Sequence, residues 1–325
     1  MKRLGSVLFA AAAAILCFED SRMAAAQSYP AKPVRVIAPS SAGGPVDVIT
    51  RAVMQGMERT LGQSIVIENR AGAAGLIGTD YVVKQPPDGY TLLFGFSGPL
   101  AIVPNLNPNT PYDPLTDLVP IAQVATAPYV LLVHPSVPAR NVKQLVGLAK
   151  ARPGKMNFSS GGNGTGIHMA GELFNVAADV RILHVPYKGA APAMTALMAG
   201  EVDMMFNGLP GAIAHLKSGK VRVLAVGGAK RSPLMPDTPT IAESGLDFKT
   251  GGWYGLLAPK GTPRAIVEKV NDALVRALNT PDMKRRLTQL AVEGASSTPE
   301  AFAKLIAEEK ALWARVIQRA GIKMK

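Results

Sequence analysis

Two short runs in this 325-residue sequence carry the residue types from which an anion site can be built. The first is Pro39-Ser40-Ser41-Ala42-Gly43-Gly44-Pro45-Val46-Asp47. The second is Ser159-Ser160-Gly161-Gly162-Asn163-Gly164-Thr165-Gly166-Ile167-His168. Each follows a short apolar run and precedes a segment of helical periodicity, so each reads as a strand-to-helix corner. Glycines there let the backbone approach a ligand, and hydroxyls donate hydrogen bonds. The helix behind presents unpaired N–H groups and the positive end of its dipole. Neither run ends in the Gly-Lys-Ser/Thr of a nucleotide P-loop, which leaves an anion cradle without nucleotide hydrolysis. One glycine-rich turn is weak evidence, but two at the same topological position point to a ligand. Four donors to a charged group supply roughly 6–12 kcal/mol gross. Association costs on the order of 4 kcal/mol or more, so micromolar binding requires that the site close and desolvate.

Rival chemistries fit less well. Serines and histidines are present, but Gly95-Phe96-Ser97-Gly98 does not have the Gly-x-Ser-x-Gly spacing of a nucleophile elbow, which argues against a secreted hydrolase and against an enzyme in general. His168 and Glu172 stand four apart on one helix, yet no third ligand accompanies them, so a helix-start hydrogen bond is favoured over a metal. No metal or other cofactor is expected. His134, His184 and His215 lack motif spacing and read as structural. Asp47 is either a ligand group or an acid suited to a first helical turn, with the weight on the latter. Lys188 either steers anions or is simply solvated, and Trp253 is expected to pack at a hinge.

These corners need a scaffold of alternating strands and helices, and the chain supplies one. Strands are expected at 34–38, 65–68, 91–95, 129–133, 156–159, 182–185, 202–206, 221–226 and 254–258, with helices at 47–60, 142–151, 165–175 and 192–198. That alternation is the mark of an α/β fold. No strand is expected after Pro259. Three helices follow it, with Thr262 before Pro263 and Thr298 before Pro299 as start signals. Ile266, Val267, Val270, Leu274 and Leu278 fall on one face of the first. No internal sequence repeat is evident.

Lys2 and Arg3 precede an apolar run, Leu4 to Leu16, that is too short to anchor in a bilayer and reads as an export signal, residues 1–26, cut after Ala24-Ala25-Ala26. Lipidation at Cys17 is disfavoured because Leu16 stands where a small residue is needed. Cys17 is the only cysteine, so cleavage would leave a chain without disulfides or thiol chemistry. The remaining length exceeds one ordinary core, and two lobes are expected. The formal net charge is +12, or +11 once Lys2, Arg3, Glu19, Asp20 and Arg22 leave with the signal. Such a field concentrates anions. Nucleic acid is a poor fit, because the basic residues are dispersed and aromatics make up only 6% of the chain.

The runs Glu68-Asn69-Arg70-Ala71-Gly72-Ala73-Ala74-Gly75, Pro87-Asp88-Gly89-Tyr90-Thr91-Leu92, Gly162-Asn163-Gly164-Thr165, His168 to Glu172, Val185-Pro186-Tyr187-Lys188-Gly189 and Trp253 to Pro259 closely resemble the Bug family, the solute receptors of tripartite tricarboxylate transporters. The likeness covers essentially the whole mature chain. It implies a type II periplasmic-binding-protein fold, the "Venus flytrap", with two lobes, a double crossover hinge and C-terminal helices returning to the first lobe. Lobe 1 would comprise 27–127 and 251–325, and lobe 2 residues 128–250. The resemblance implies a periplasmic monomer that closes on a small carboxylate and delivers it to membrane permease subunits; a ligand sensor for a signalling system is the alternative on the same fold.

By the same resemblance the ligand lies between the two corners, held partly by backbone amides and waters. The first-loop pattern maps onto Pro39, Gly43, Gly44 and Asp47, with the hydroxyls of Ser40 and Ser41, and the second onto Ser160, Gly162, Asn163, Thr165 and His168, with Gly161. Ser97, Tyr187 and Asn207 would complete the cleft. Ser40 stands where the family commonly has an aromatic, which widens the pocket and makes it more polar. Gly161 stands where a serine is common. Asn207 replaces a frequent aspartate, which favours a carboxylate lacking an amino group.

Overall fold

The computed structural model describes residues 29–43, 45–187, 189–216 and 218–322. The export signal with Cys17, and Gly44 and Lys188, lie outside the described residues. Five strands build the first half: β1 (Val34–Ala38), β2 (Ile65–Asn69), β3 (Thr91–Phe96), the first part of β4 (Leu118–Val133), and β9 (Gly251–Pro259). The other half holds the end of β4 with β5 (Asn157–Ser160), β6 (Leu183–Pro186), β7 (Met204–Gly208) and β8 (Arg222–Val226).

The pairing is the same in both halves. In the first, β1 lies parallel between β2 and β3, and β9 runs antiparallel between β3 and the first part of β4. In the second, β5 lies parallel between β6 and β7, and the end of β4 runs antiparallel between β7 and β8. Each half is thus three parallel strands, an antiparallel fourth that arrives from the other half, and a fifth beyond it, the first part of β4 in one half and β8 in the other. The two crossovers, within β4 and between β8 and β9, form the hinge of a two-lobed α/β fold. The repetition is invisible in the sequence because strand order is fixed by which runs pack side by side, and no local residue pattern names a strand's neighbour.

β4 is longer than expected. Pro120 and Pro128 argue against a strand interior, yet the chain absorbs register shifts between Pro120 and Ala122 and between Gln123 and Ala125 while staying paired to β9. The expectation of no strand after Pro259 is corrected by β10 (Glu293–Gly294), a two-residue pairing against Thr126 and Ala125.

Helices cover the sheet: α1 (Pro45–Leu61), α2 (Leu76–Val83), α3 (Val142–Ala151), α4 (Gly166–Ala178), α5 (Ala190–Ala199), α6 (Leu209–Leu216), α7 (Arg264–Asn279), α8 (Pro281–Gln289) and α9 (Pro299–Ala320), with a helical segment from Gly98 to Leu106 after β3. The apolar face read on α7 is buried as its periodicity requires, and it packs with Val53 and Met57 of α1. Each such buried aliphatic side chain contributes about 1.5–3 kcal/mol. Thr298 caps α9 by accepting from Ala301 N at 3.2 Å. Thr262 does not cap α7: its hydroxyl donates to Pro259 O at 2.7 Å, Pro263 takes the cap position, and the helix begins at Arg264. α9 lies across both halves, with Phe302 stacked edge-on against Trp253 of β9, and Trp313 and Val316 buried in the same cluster as Phe158 and Phe174 of the second half.

Candidate functional site

The two glycine-rich corners face one another across a cavity of about 430 Å3. From the first half, Pro39, Ser40, Ser41, Pro45 and Val46 line it, joined by Ala71, Gly72, Ala74, Gly75, Phe96 and Gly98. Gly164, Thr165, Gly166 and Gly189 come from the second half. Four helical starts therefore open on one space: α1 at Pro45–Val46, α4 at Thr165–Gly166, α5 after Gly189 and the segment beginning at Gly98. Each longer helix brings roughly half a positive charge at that end, together with N–H groups that lack intrahelical partners. Among the described residues the wall has no ionisable side chain; its side-chain polar groups are the hydroxyls of Ser40, Ser41 and Thr165.

In the first corner, Asp47 holds the loop from behind. The buried carboxylate accepts Gly43 N at 2.8 Å, Asn69 Nδ2 at 3.0 Å and Arg51 Nε at 3.0 Å. Burial pushes this carboxyl up, but the hydrogen bonds from Arg51, Gly43 and Asn69 outweigh it and hold the group below the usual carboxylate range. Its oxygens are thus committed to the loop, and Asp47 is not part of the cavity wall. Gly43 sits at φ +77°, with its N–H spent on Asp47 rather than offered to a ligand. Asn69 Nδ2 also binds Ser40 O at 3.2 Å, while the Ser40 Oγ is buried at the wall without a partner among the described residues.

The second corner is held by neutral groups. Ser160 is fully buried; its Oγ accepts Gly162 N at 3.1 Å and lies 2.6 Å from His184 Nε2. Thr165 caps α4 by accepting from His168 N at 3.3 Å, and donates to Gly162 O at 2.8 Å. His168 Nδ1 accepts Gly164 N at 3.2 Å, the helix-start bond expected for it, and its ring lies 3.9 Å from that of His184. Burial, and then the neighbouring His168, push the His184 imidazole down to about 3, so it is neutral. His184, read from the sequence only as structural, is central to this support, and no local spacing signals that.

Of the remaining expected residues, Gly162 takes φ +117° above Tyr187 O, and the backbone of Gly189–Ala190 passes so close to Gly161 that a Cβ there would meet Ala190 N at 3.1 Å. Tyr187 N donates to Ser160 O at 2.9 Å, tying β6 to the corner. Asn163 is exposed, and Ser97 and Asn207 are buried at the ends of β3 and β7. Asn207 lies against Gly211 of α6. None of these six belongs to the wall. Conversely, Ala71, Gly72, Ala74 and Gly75 line the cavity without having been assigned a role from residue chemistry. Ala73 and Ala74 hold φ of +46° and +55°, a left-handed conformation costing roughly 1 kcal/mol or more per residue, of the kind that concentrates at ligand sites.

Two lobes on a double crossover, with helix N-termini turned to a cleft that has no charged side chain among its described residues, have the architecture of a solute receptor. A profile of the family described as "Tripartite tricarboxylate transporter family receptor" matches residues 49–322, and the chain belongs to this family. Protein BugT of Bordetella pertussis is 37% identical over 305 residues, spanning 92% of this chain and 93% of BugT. Rpa4515 of R. palustris, solved with adipate, is 34% identical with a TM-score of 0.81, over 91% of this chain and 99% of its own. The periplasmic binding protein BugD is 36% identical with a TM-score of 0.78, over 91% and 100%.

Proposed function

We propose that this protein captures a small organic carboxylate without an amino group in the cleft between the two corners. It does so in the periplasm and as a monomer, after export by the signal at 1–26, and delivers its ligand to the membrane permease subunits of a tripartite tricarboxylate-type transporter. The observation that carries this reading is the convergence of helix N-termini on a cavity without a charged side chain among its described residues. A carboxylate there replaces its water shell with backbone N–H groups and aligned dipoles. An ammonium finds no counter-charge in the wall and would lose its hydration uncompensated. Rpa4515 with adipate is a relative of this ligand class.

The lobes we assign are 27–127 with 251–325, and 128–250. Closure about the crossovers brings Ser40 and Ser41 toward Thr165, expels water and completes the shell of donors, and the closed form is the one that docks. Titration calorimetry on protein unfolded, freed of carried-over ligand and refolded tests the assignment. Adipate or malate should bind at micromolar concentration, with glutamate and aspartate at least about tenfold weaker. Binding of glutamate or aspartate with neither adipate nor malate bound would overturn it.

A further inference from the structure

Ser97 has no place in the cavity wall, although its neighbours Phe96 and Gly98 do. It is buried, and its side chain is hydrogen bonded to the hydroxyl of Tyr129. On the lobe assignment above the two residues belong to different lobes. Ser97 follows β3 in the first, and Tyr129 begins the second, where β4 leaves the crossover.

The Tyr129 backbone is fixed at the meeting of both crossovers. Its carbonyl accepts Gly227 N at 2.7 Å, and Gly227 O accepts Thr250 N of the return connection at 2.9 Å. Tyr129 also pairs with Gly208 of β7. From this anchor the buried ring runs under the cleft to Gly166, the first residue of α4 and part of the wall. A Cβ on Gly166 would overlap the Tyr129 hydroxyl and stand 3.1 Å from its Cζ. Gly166 does not take the positive φ that calls for glycine, so what its missing side chain provides is room for this hydroxyl. Burial, with Tyr254 and Glu309 adding to it, pushes the Tyr129 phenol up, and the group stays a neutral hydroxyl.

One hydroxyl therefore touches both sides of the cleft from below. Its contacts with Gly166 and β7 lie within the second lobe and survive a rotation about the crossovers. Its bond to Ser97 joins the lobes, and rotation breaks it. A bond made in one arrangement and lost in the other shifts the balance between them by its own worth.

We propose that the Tyr129 hydroxyl is a positioning group for the cleft: its bond to Ser97 ties the lobes beneath the ligand and holds Gly98 and Gly166 at the spacing of the closed form. It touches no ligand itself. Its consequence for ligand, slower release of a bound carboxylate, rests on the receptor function proposed above; the tie does not.

Tyr129→Phe tests this, because it removes the hydroxyl and keeps the ring. In stopped-flow tryptophan fluorescence with adipate or malate, release should be about three- to tenfold faster and the capture rate constant unchanged. In solution scattering the unliganded variant should have a larger radius of gyration than the parent. Ser97→Ala should reproduce both effects, and the double variant should be no worse than either single one, since all three lack the same bond. Thermal melts show that each variant is folded. Release as slow as in the parent, even with a lowered melting temperature, would make the pair a packing contact and overturn the proposal. Effects that add in the double variant would overturn it too. If the parent binds neither adipate nor malate, the carboxylate function fails and the radius decides the tie alone: a larger one supports it and an equal one overturns it.

Discussion

The two corners have the same topology and opposite chemistry. The first is pinned by a buried anion, Asp47, drawing on Gly43, Asn69 and Arg51. The second is pinned by hydroxyls and two adjoining imidazoles, Ser160, Thr165, His168 and His184. Both solutions keep ionisable side chains behind the loop and leave backbone and small side chains toward the cavity. The difference shows that one corner geometry constrains only the face turned to the cavity. The support behind it is free to vary, and its chemistry sets how each corner responds to acid.

Removing the anion should have the largest effect. Asp47→Ala leaves Gly43 N, Asn69 Nδ2 and Arg51 without their acceptor. Arg51 is half exposed, so its ion pair contributes little and the buried hydrogen bonds account for most of the loss. Urea unfolding should show a destabilisation of about 3 kcal/mol. A loss within experimental error would mean that the loop holds itself.

Acid should distinguish the corners. The folded His184 titrates at about 3 against an ordinary 6.5. Its contribution to stability is therefore complete above pH 6.5 and declines as pH falls toward 3, because only the unfolded chain takes up the proton. The slope is at most about 1.4 kcal/mol per pH unit, and smaller to the extent that solvent screens the partly exposed ring. Asp47, held below its ordinary 3.8, keeps its full contribution above that value and loses it only below. Thermal melts between pH 7 and 4.5 should show this decline, and His184→Phe, which preserves the ring stack, should flatten it. Parallel curves for the two proteins would remove His184 from the account.

Thr165 should give the smallest effect. It both caps α4 and lines the cleft, so Thr165→Ala should cost about 1 kcal/mol of stability and weaken carboxylate binding severalfold, with Thr165→Ser restoring both. Lost stability with unchanged affinity would leave Thr165 a cap and nothing more.

Much of this was legible beforehand. The strands of the parallel core were readable because each is a short apolar or β-branched run bounded by turn residues, and the helices that carry the corners because their apolar positions recur at helical spacing. The first part of β4 was hidden by its prolines, and α2 and α6 are short and apolar nearly throughout, which obscures their period. Among the site residues, Ser40, Ser41 and Thr165 are at the wall, whereas Asp47, Ser160 and His168 stand behind it. Composition could place all six in corners but could not tell which way their side chains turn.

The sequence by itself determined the α/β class, the two glycine-rich corners and the membership of a receptor family, because these depend on local residue types and their order. Only the tertiary structure decided that the corners share one cavity, that His184 supports the second of them, and that Tyr129 and Ser97 meet beneath it. Those facts depend on strand order and crossover geometry, which bring together residues far apart in the chain and are set by packing across the whole sheet rather than by any segment alone.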